Sequence, residues 1–301
     1  MNLNSIVRPI IVLLLLAFSH LINAEEVTQT FNGLTLNANL EMAGDKDFKD
    51  GMVLIIHGYI AHNKMEIIRA SQQALLDNDH SSLAINLSLG VDNRHGFYDC
   101  NSSHRHVQEN AVKEIGVWVD WLRGKGVKQI AILGHSRGAN QAMVYAVEQL
   151  DPEVTHMVML APGAGENVKY LYKERYGKTI DQTIESAQKL IASGKGQELM
   201  QDIDLLNCPK TRVSADTFIS YYGPNNKFRQ FNSYLPKLAI PTLIIAGTAD
   251  DRQPHIEKLL TPYADGKRVQ LQIIEGAGHF FRDLNMEEAV EVSIDFISQN
   301  H

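Results

Sequence analysis

The sequence is short of several features that would settle its class at a glance. Cysteine is nearly missing: 301 residues hold only Cys100 and Cys208, too few for a disulfide framework. Clustered Lys and Arg are missing too, and 35 acidic against 28 basic residues leave a formal net charge of −7. A chain so charged is a poor match for a phosphate backbone, so no nucleic-acid partner is expected. There is no internal repeat and no low-complexity stretch, which removes support for repeat arrays and disordered linkers. Apolar runs are short. IIVLLLLAF at residues 10–18 has nine residues, where a membrane-spanning helix needs roughly 20.

That run has another reading. It follows a stretch with a single positive charge, Arg8, and precedes INA and two glutamates. A charged start, a short apolar middle and a small-residue cleavage site make a secretory signal. Residues 1–24 are therefore expected to be removed, leaving residues 25–301 as an exported domain, secreted or periplasmic. No cysteine lies near the cut, so no lipid anchor is indicated and no stable membrane anchor is expected. Loss of Arg8 makes the mature chain one unit more acidic. In an oxidising compartment Cys100 and Cys208 either pair or stay as two partly buried thiols, and the sequence leaves both readings open.

What the chain does have is alternation. Short apolar runs at 51–58, 81–88, 128–136, 155–163, 240–250 and 268–279 are separated by helical spacing at 63–78, 105–123, 137–149 and 284–299. Several runs are apolar at consecutive positions, as expected of strands covered on both faces. The pattern predicts an α/β fold with a mostly parallel, doubly wound sheet and right-handed crossovers. QTFNGLTLNANLEMAG ahead of it reads as an antiparallel pair at the sheet edge. Residues 165–237 break the rhythm, being far longer than a crossover needs, and their patterns are mostly helical. Such an insertion is expected to be a structured, mainly helical cap, of the kind that excludes water and selects substrate.

Polar residues sit at the carboxyl ends of these strands, where open parallel sheets bind ligands. His57-Gly58 follows the first, Ser136 ends IAILGHS, Asp250 follows LIIAGTA and His279 follows LQIIEGAG. A serine hydroxyl needs a base, for which His279 stands ready, and the imidazolium needs a carboxylate, the role given to Asp250. Asp251, next to it, is the competing candidate. Gly134 and Gly138 permit a tight strand-to-helix turn that lifts Ser136 clear of the sheet. The backbone N–H groups of Arg137 and Tyr59 are placed to receive an oxyanion. The alternative is that Ser136 merely caps a helix. His57, His135 and the Arg137 side chain are expected to pack or anchor loops, with an anionic substrate group as the other reading for Arg137.

GHSRG fits the G-x-S-x-G nucleophile elbow, and the order Ser136, Asp250, His279 resembles that of the α/β-hydrolase superfamily. HG at 57–58 resembles its oxyanion loop, and GTAD and GAGH its acid and histidine turns. The resemblance spans nearly all of the mature chain. It implies hydrolysis of an ester, thioester or amide of a small acyl substrate through an acyl-enzyme, without metal or cofactor. A carboxylic ester is the expected substrate. A peptidase or thioesterase with the same residues, or a binding protein that no longer turns over, are the alternatives. Asp92, His95, Asp99, Cys100, His104 and His106 crowd one stretch, but their spacing matches no standard zinc pattern, so a polar loop near the pocket mouth is expected there. Tyr221, Tyr222, Phe218 and Phe228 in the cap read as packing or as apolar pocket wall.

Overall fold

The computed structural model describes residues 24–163 and 168–299. The expected leader, Ala24 apart, and the first residues of the expected cap lie outside the described residues. The chain builds β1 (Glu25–Phe31), β2 (Leu34–Glu41), β3 (Met52–Ile56), α1 (Glu66–Asp77), β4 (Ser82–Asn86), β5 (Ser103–His104), α2 (Gln108–Gly124), β6 (Ile130–His135), α3 (Arg137–Gln149) and β7 (Val154–Leu160). After these come α4 (Val168–Tyr176), α5 (Asp181–Ala192), β8 (Leu199–Leu205), β9 (Cys208–Ser214), α6 (Ala215–Tyr222) and α7 (Phe231–Tyr234). The chain closes with β10 (Thr242–Gly247), α8 (Ile256–Leu260), β11 (Val269–Ile274) and α9 (Leu284–Ile297).

Eight strands form one sheet in the order β1-β2-β4-β3-β6-β7-β10-β11. From β4 to β11 every pairing is parallel, while β2 runs antiparallel to both its neighbours. The expected edge pair is therefore there, with β1 alone forming the outer edge.

Alternation within each buried strand explains the consecutive apolar runs. Leu54, Ile56, Ile132 and Ile244 pack with Ile115 and Trp118 of α2 and Met143 of α3 on one face. Val53, Ile55, Leu133 and Ile245 pack with Ile68 and Leu75 of α1 and Val290 and Phe296 of α9 on the other. Both sides of the sheet are thus dry, and each fully buried Leu or Ile contributes about 1.5–3 kcal/mol.

The insertion between β7 and β10 holds the expected helices α4, α5 and α6, but also an antiparallel hairpin, β8 with β9. Residues 199–203 read as a continuation of helical spacing, and the structure turns them into strand. The reason is tertiary: β9 also pairs in parallel with β5, which lies in the loop after β4. A disulfide joins Cys100 of that loop to Cys208 at the start of β9, with the Cα atoms 5.1 Å apart. The cap has its own core, with Phe218, Tyr221 and Tyr222 of α6 against Leu205, Val213 and Ile180.

The Cys100–Cys208 bond closes a loop of 108 residues, which on the chain-entropy account stabilises by about 4–5 kcal/mol. Cys208→Ser, or reduction of the wild type, is expected to lower the urea midpoint accordingly, and reduction should not lower that of Cys208→Ser further. An unchanged midpoint would mean that the cap and loop are held without the bond.

Candidate active site

The turn between β6 and α3 explains GHSRG. Ser136 itself takes the positive φ, at 53° with ψ −123°, a conformation costly for a residue with a side chain. Its backbone N–H donates to the Leu160 carbonyl at 2.8 Å. The two glycines are needed for close approach, not for φ. A Cβ on Gly134 would lie 2.6 Å from the Ala139 nitrogen, and one on Gly138 would lie 2.6 Å from the Ile56 oxygen and closer still to the His57 carbonyl. Gly138→Ala must push α3 away from β3, at a cost of about 1–3 kcal/mol. It should therefore lower thermal stability and activity together. Retention of both would show that the elbow tolerates a wider turn.

Ser136 occupies the N-cap position of α3, yet its side chain caps nothing. Its Oγ instead lies 3.0 Å from His279 Nε2. His279 Nδ1 lies 2.8 Å from Asp250 Oδ2. Asp250 Oδ1 accepts the backbone N–H groups of Arg252 and Gln253, at 2.9 and 3.0 Å, which fixes the carboxylate plane. All three side chains are buried. The neighbouring Asp251 is exposed and takes no part in the chain of hydrogen bonds. The fold thus unites a serine from β6, a carboxylate from the β10 loop and a histidine from the β11 loop. Such an arrangement moves a proton from the hydroxyl to Nε2 while Nδ1–H stays on the carboxylate.

His57 and His135 hold the backbone around this centre. His57 Nδ1–H donates to the Gly58 carbonyl at 2.6 Å, and its Nε2 accepts the Leu87 N–H at 3.1 Å. Because the peptide bond is trans, fixing the Gly58 carbonyl turns the Tyr59 N–H the opposite way. Gly58 packs on the elbow, since a Cβ there would sit 3.4 Å from Ser136 Cβ. Among the described residues neither the Tyr59 N–H nor the Arg137 N–H at the start of α3 has an acceptor. His135 Nε2–H donates to the His279 carbonyl at 2.9 Å and so anchors the histidine turn. Burial pushes both His57 and His135 down to about 3, keeping them neutral.

Several residues that matter here gave little sequence signal. Arg94, from the polar loop after β4, donates to the Leu87 carbonyl at 2.9 Å, to Asn86 Oδ1 at 2.7 Å and to the Gly96 carbonyl at 2.5 Å. It clamps the segment on which His57 leans. Asn140, one turn into α3, ties the Gly163 backbone to the Phe228 carbonyl, with bonds of 2.8–3.0 Å. The crowded loop is dispersed. Asp92 accepts the Thr35 N–H at 2.6 Å, His95 Nε2 meets Glu26 at 3.0 Å, and Asp99 accepts the Asn101 N–H at 2.9 Å. Cys100 is in the disulfide, while the His104 ring lies tilted against Tyr98 and His106 meets Tyr98 edge-on. All four cap aromatics are buried in packed cores, and Tyr222 and Phe228 also wall the cavity of about 420 Å³ above Ser136 and His279.

The chain can now be placed among known proteins. Residues 104–298 match the model of a family described as "Protein of unknown function (DUF1749)". The chain belongs to that family. This DUF1749 member has the α/β-hydrolase fold. It superposes on Est1E from Butyrivibrio proteoclasticus with a TM-score of 0.65 at 18% identity, covering 91% of this chain and 99% of that one. A monoacylglycerol lipase of Paleococcus ferrophilus gives 0.59 at 17% identity, with 87% and 98% covered. In sequence, the 2-hydroxy-6-oxononadienedioate/2-hydroxy-6-oxononatrienedioate hydrolase 2 of Pseudomonas putida is 26% identical over 215 residues, 66% of this chain and 71% of that one.

Proposed function

We propose that the protein is an exported serine hydrolase that cleaves a carboxylic ester of a small acyl substrate. One observation carries the reading: a strained, buried Ser136 whose hydroxyl meets His279 at 3.0 Å, with Asp250 behind it at 2.8 Å. Ser136 Oγ attacks the ester carbonyl as its proton passes to His279 Nε2. Asp250 keeps the imidazole in the Nδ1–H form and steadies the imidazolium. The N–H groups of Tyr59 and Arg137 receive the oxyanion. Collapse breaks the bond to the alkoxide, which takes the proton from Nε2 and leaves the acyl group on Ser136. Water, deprotonated by His279, repeats the sequence and releases the acid. The residues themselves supply every proton transfer, so the reading invokes neither metal nor cofactor.

Hydrolases and esterases among the similar proteins support the reaction class. The Cys100–Cys208 pairing supports export, because such bonds persist in oxidising compartments. The reaction is tested with a panel of esters of graded acyl length, alongside thioester and aminoacyl-amide probes, on wild type and Ser136→Ala. Ester turnover that vanishes in Ser136→Ala is expected. Faster turnover of the thioesters or amides would assign the same residues to a thioesterase or peptidase. Export is checked separately, by finding a mature N-terminus at Glu25.

A further inference from the structure

Four arginines line the cavity that holds Ser136 and His279: Arg137, Arg175, Arg229 and Arg252. Among the described residues one carboxylate, that of Asp251, faces them from the lining. This is unexpected in a chain of net charge −7, which has acidic partners to spare. It uses them elsewhere: Arg123 alone pairs with Asp120, Asp151 and Glu153.

Arg229 and Arg137 are the inner pair. Among the described residues the Arg229 guanidinium has no ion-pair partner and no hydrogen-bond acceptor, and its Nε is buried. It lies over the Tyr222 ring, 5.8 Å away. Arg137 is stacked between Tyr59 and Tyr221, at 5.5 and 5.2 Å, and held by Gln108 Oε1 at 2.9 Å. Its Nε is likewise buried without an acceptor. Nearer the rim, Arg175 is fixed by the Leu206 carbonyl and Asn207 Oδ1 at 2.8 and 2.5 Å, and Arg252 lies over Phe280 at 4.7 Å. Burial and the field of Arg137 draw Arg229 down to about 9, so it stays charged at neutral pH, with donors unspent.

An uncompensated guanidinium in a partly dry pocket is costly, and the cost is recovered when an anion arrives. The planar fork of arginine suits a carboxylate held by two parallel bonds. We infer that Arg229, with Arg137 beside it, is the subsite for a carboxylate on the substrate, so that the ester cleaved is a half-ester of a dicarboxylic acid or a similarly charged small ester. The inference rests on the proposed hydrolase reading and deepens it.

The test compares methanol release from monomethyl adipate and from neutral methyl hexanoate. Wild type is expected to favour the anion in kcat/KM by about tenfold or more, and the ratio to fall on the order of 10- to 100-fold in Arg229→Gln. Arg229→Lys should restore part of it. Two further readouts do not depend on turnover. Calorimetry should detect glutarate binding to Ser136→Ala and its loss when Arg229→Gln is added, with inorganic phosphate as the competing anion. Arg229→Gln should also leave the ligand-free melting temperature equal or higher, whereas a purely structural arginine would lower it. A wild type that prefers the neutral ester, or a ratio unmoved by Arg229→Gln, overturns the subsite while leaving the hydrolase reading intact. Tighter binding of phosphate than of glutarate overturns the carboxylate assignment. Absence of all ester turnover overturns the hydrolase reading, and glutarate binding to Ser136→Ala then decides the subsite by itself.

Discussion

His279→Ala is expected to lower kcat for ester hydrolysis by about 10⁴- to 10⁶-fold with little change in KM, because on the proposed reading it removes the base that makes the Ser136 hydroxyl a nucleophile. Asp250→Asn is expected to lose about 10⁴-fold while keeping the fold, since an amide in place of the carboxylate favours the wrong imidazole tautomer. The geometry gives the reason. Asp250 Oδ1 is already committed to the Arg252 and Gln253 N–H groups, so Oδ2 is the atom left for His279 Nδ1. Because the three side chains act as a unit, Ser136→Ala combined with His279→Ala should cost hardly more than either alone. Steady-state kinetics on a short-chain ester measure all of this. Additive losses in the double variant, or an Asp250→Asn enzyme near wild-type rate, would contradict the assignment of roles.

Acid lability is the second large effect. His57, His106 and His135 are pushed by burial to about 3, and His104 to about 4, from an ordinary 6.5. The unfolded chain therefore takes a proton on each as pH falls below about 6.5, while the folded chain refuses it until pH 3–4. Stability is complete above pH 6.5 and declines below it, by up to about 1.4 kcal/mol per pH unit for each histidine. All four act in the same direction, so the loss between pH 6.5 and pH 5 is a sizeable share of the roughly 5–15 kcal/mol that holds an ordinary domain. Glu114, raised by burial, works in the opposite sense. Urea midpoints at pH 8 and pH 5 measure the effect. A much lower midpoint at pH 5 is expected, and equal midpoints would mean that these rings are hydrated in the folded protein.

The placement of these histidines also shows where sequence reasoning reaches. The parallel strands were legible because both faces of the sheet are covered, which makes Val53 to Ile56 apolar without a gap. Ser136, Asp250 and His279 were legible because each closes an apolar run, and strand ends are where such sheets gather their ligands. The glycines of GHSRG point in the sequence to a tight turn; in the structure the strained residue is Ser136, and the glycines allow that turn by close contact with α3 and β3. The β8–β9 hairpin was not legible. Its turn carries Leu206 at φ 57° where a glycine would have announced it, and β5, with which β9 pairs, lies more than 100 residues earlier, Ser103 opposite Arg212. The disulfide was undecided for the same reason, as only that pairing brings Cys100 to Cys208. Arg94 and Arg229 carry no sequence signal, because what surrounds them is backbone carbonyl in one case and a cavity in the other.

The most direct measurement is reaction of the folded protein with a fluorophosphonate, followed by peptide mapping. The account predicts a single stoichiometric adduct on Ser136, absent from Ser136→Ala and from acid-unfolded protein. Wild type that stays unlabelled, or an adduct that persists in Ser136→Ala, contradicts it.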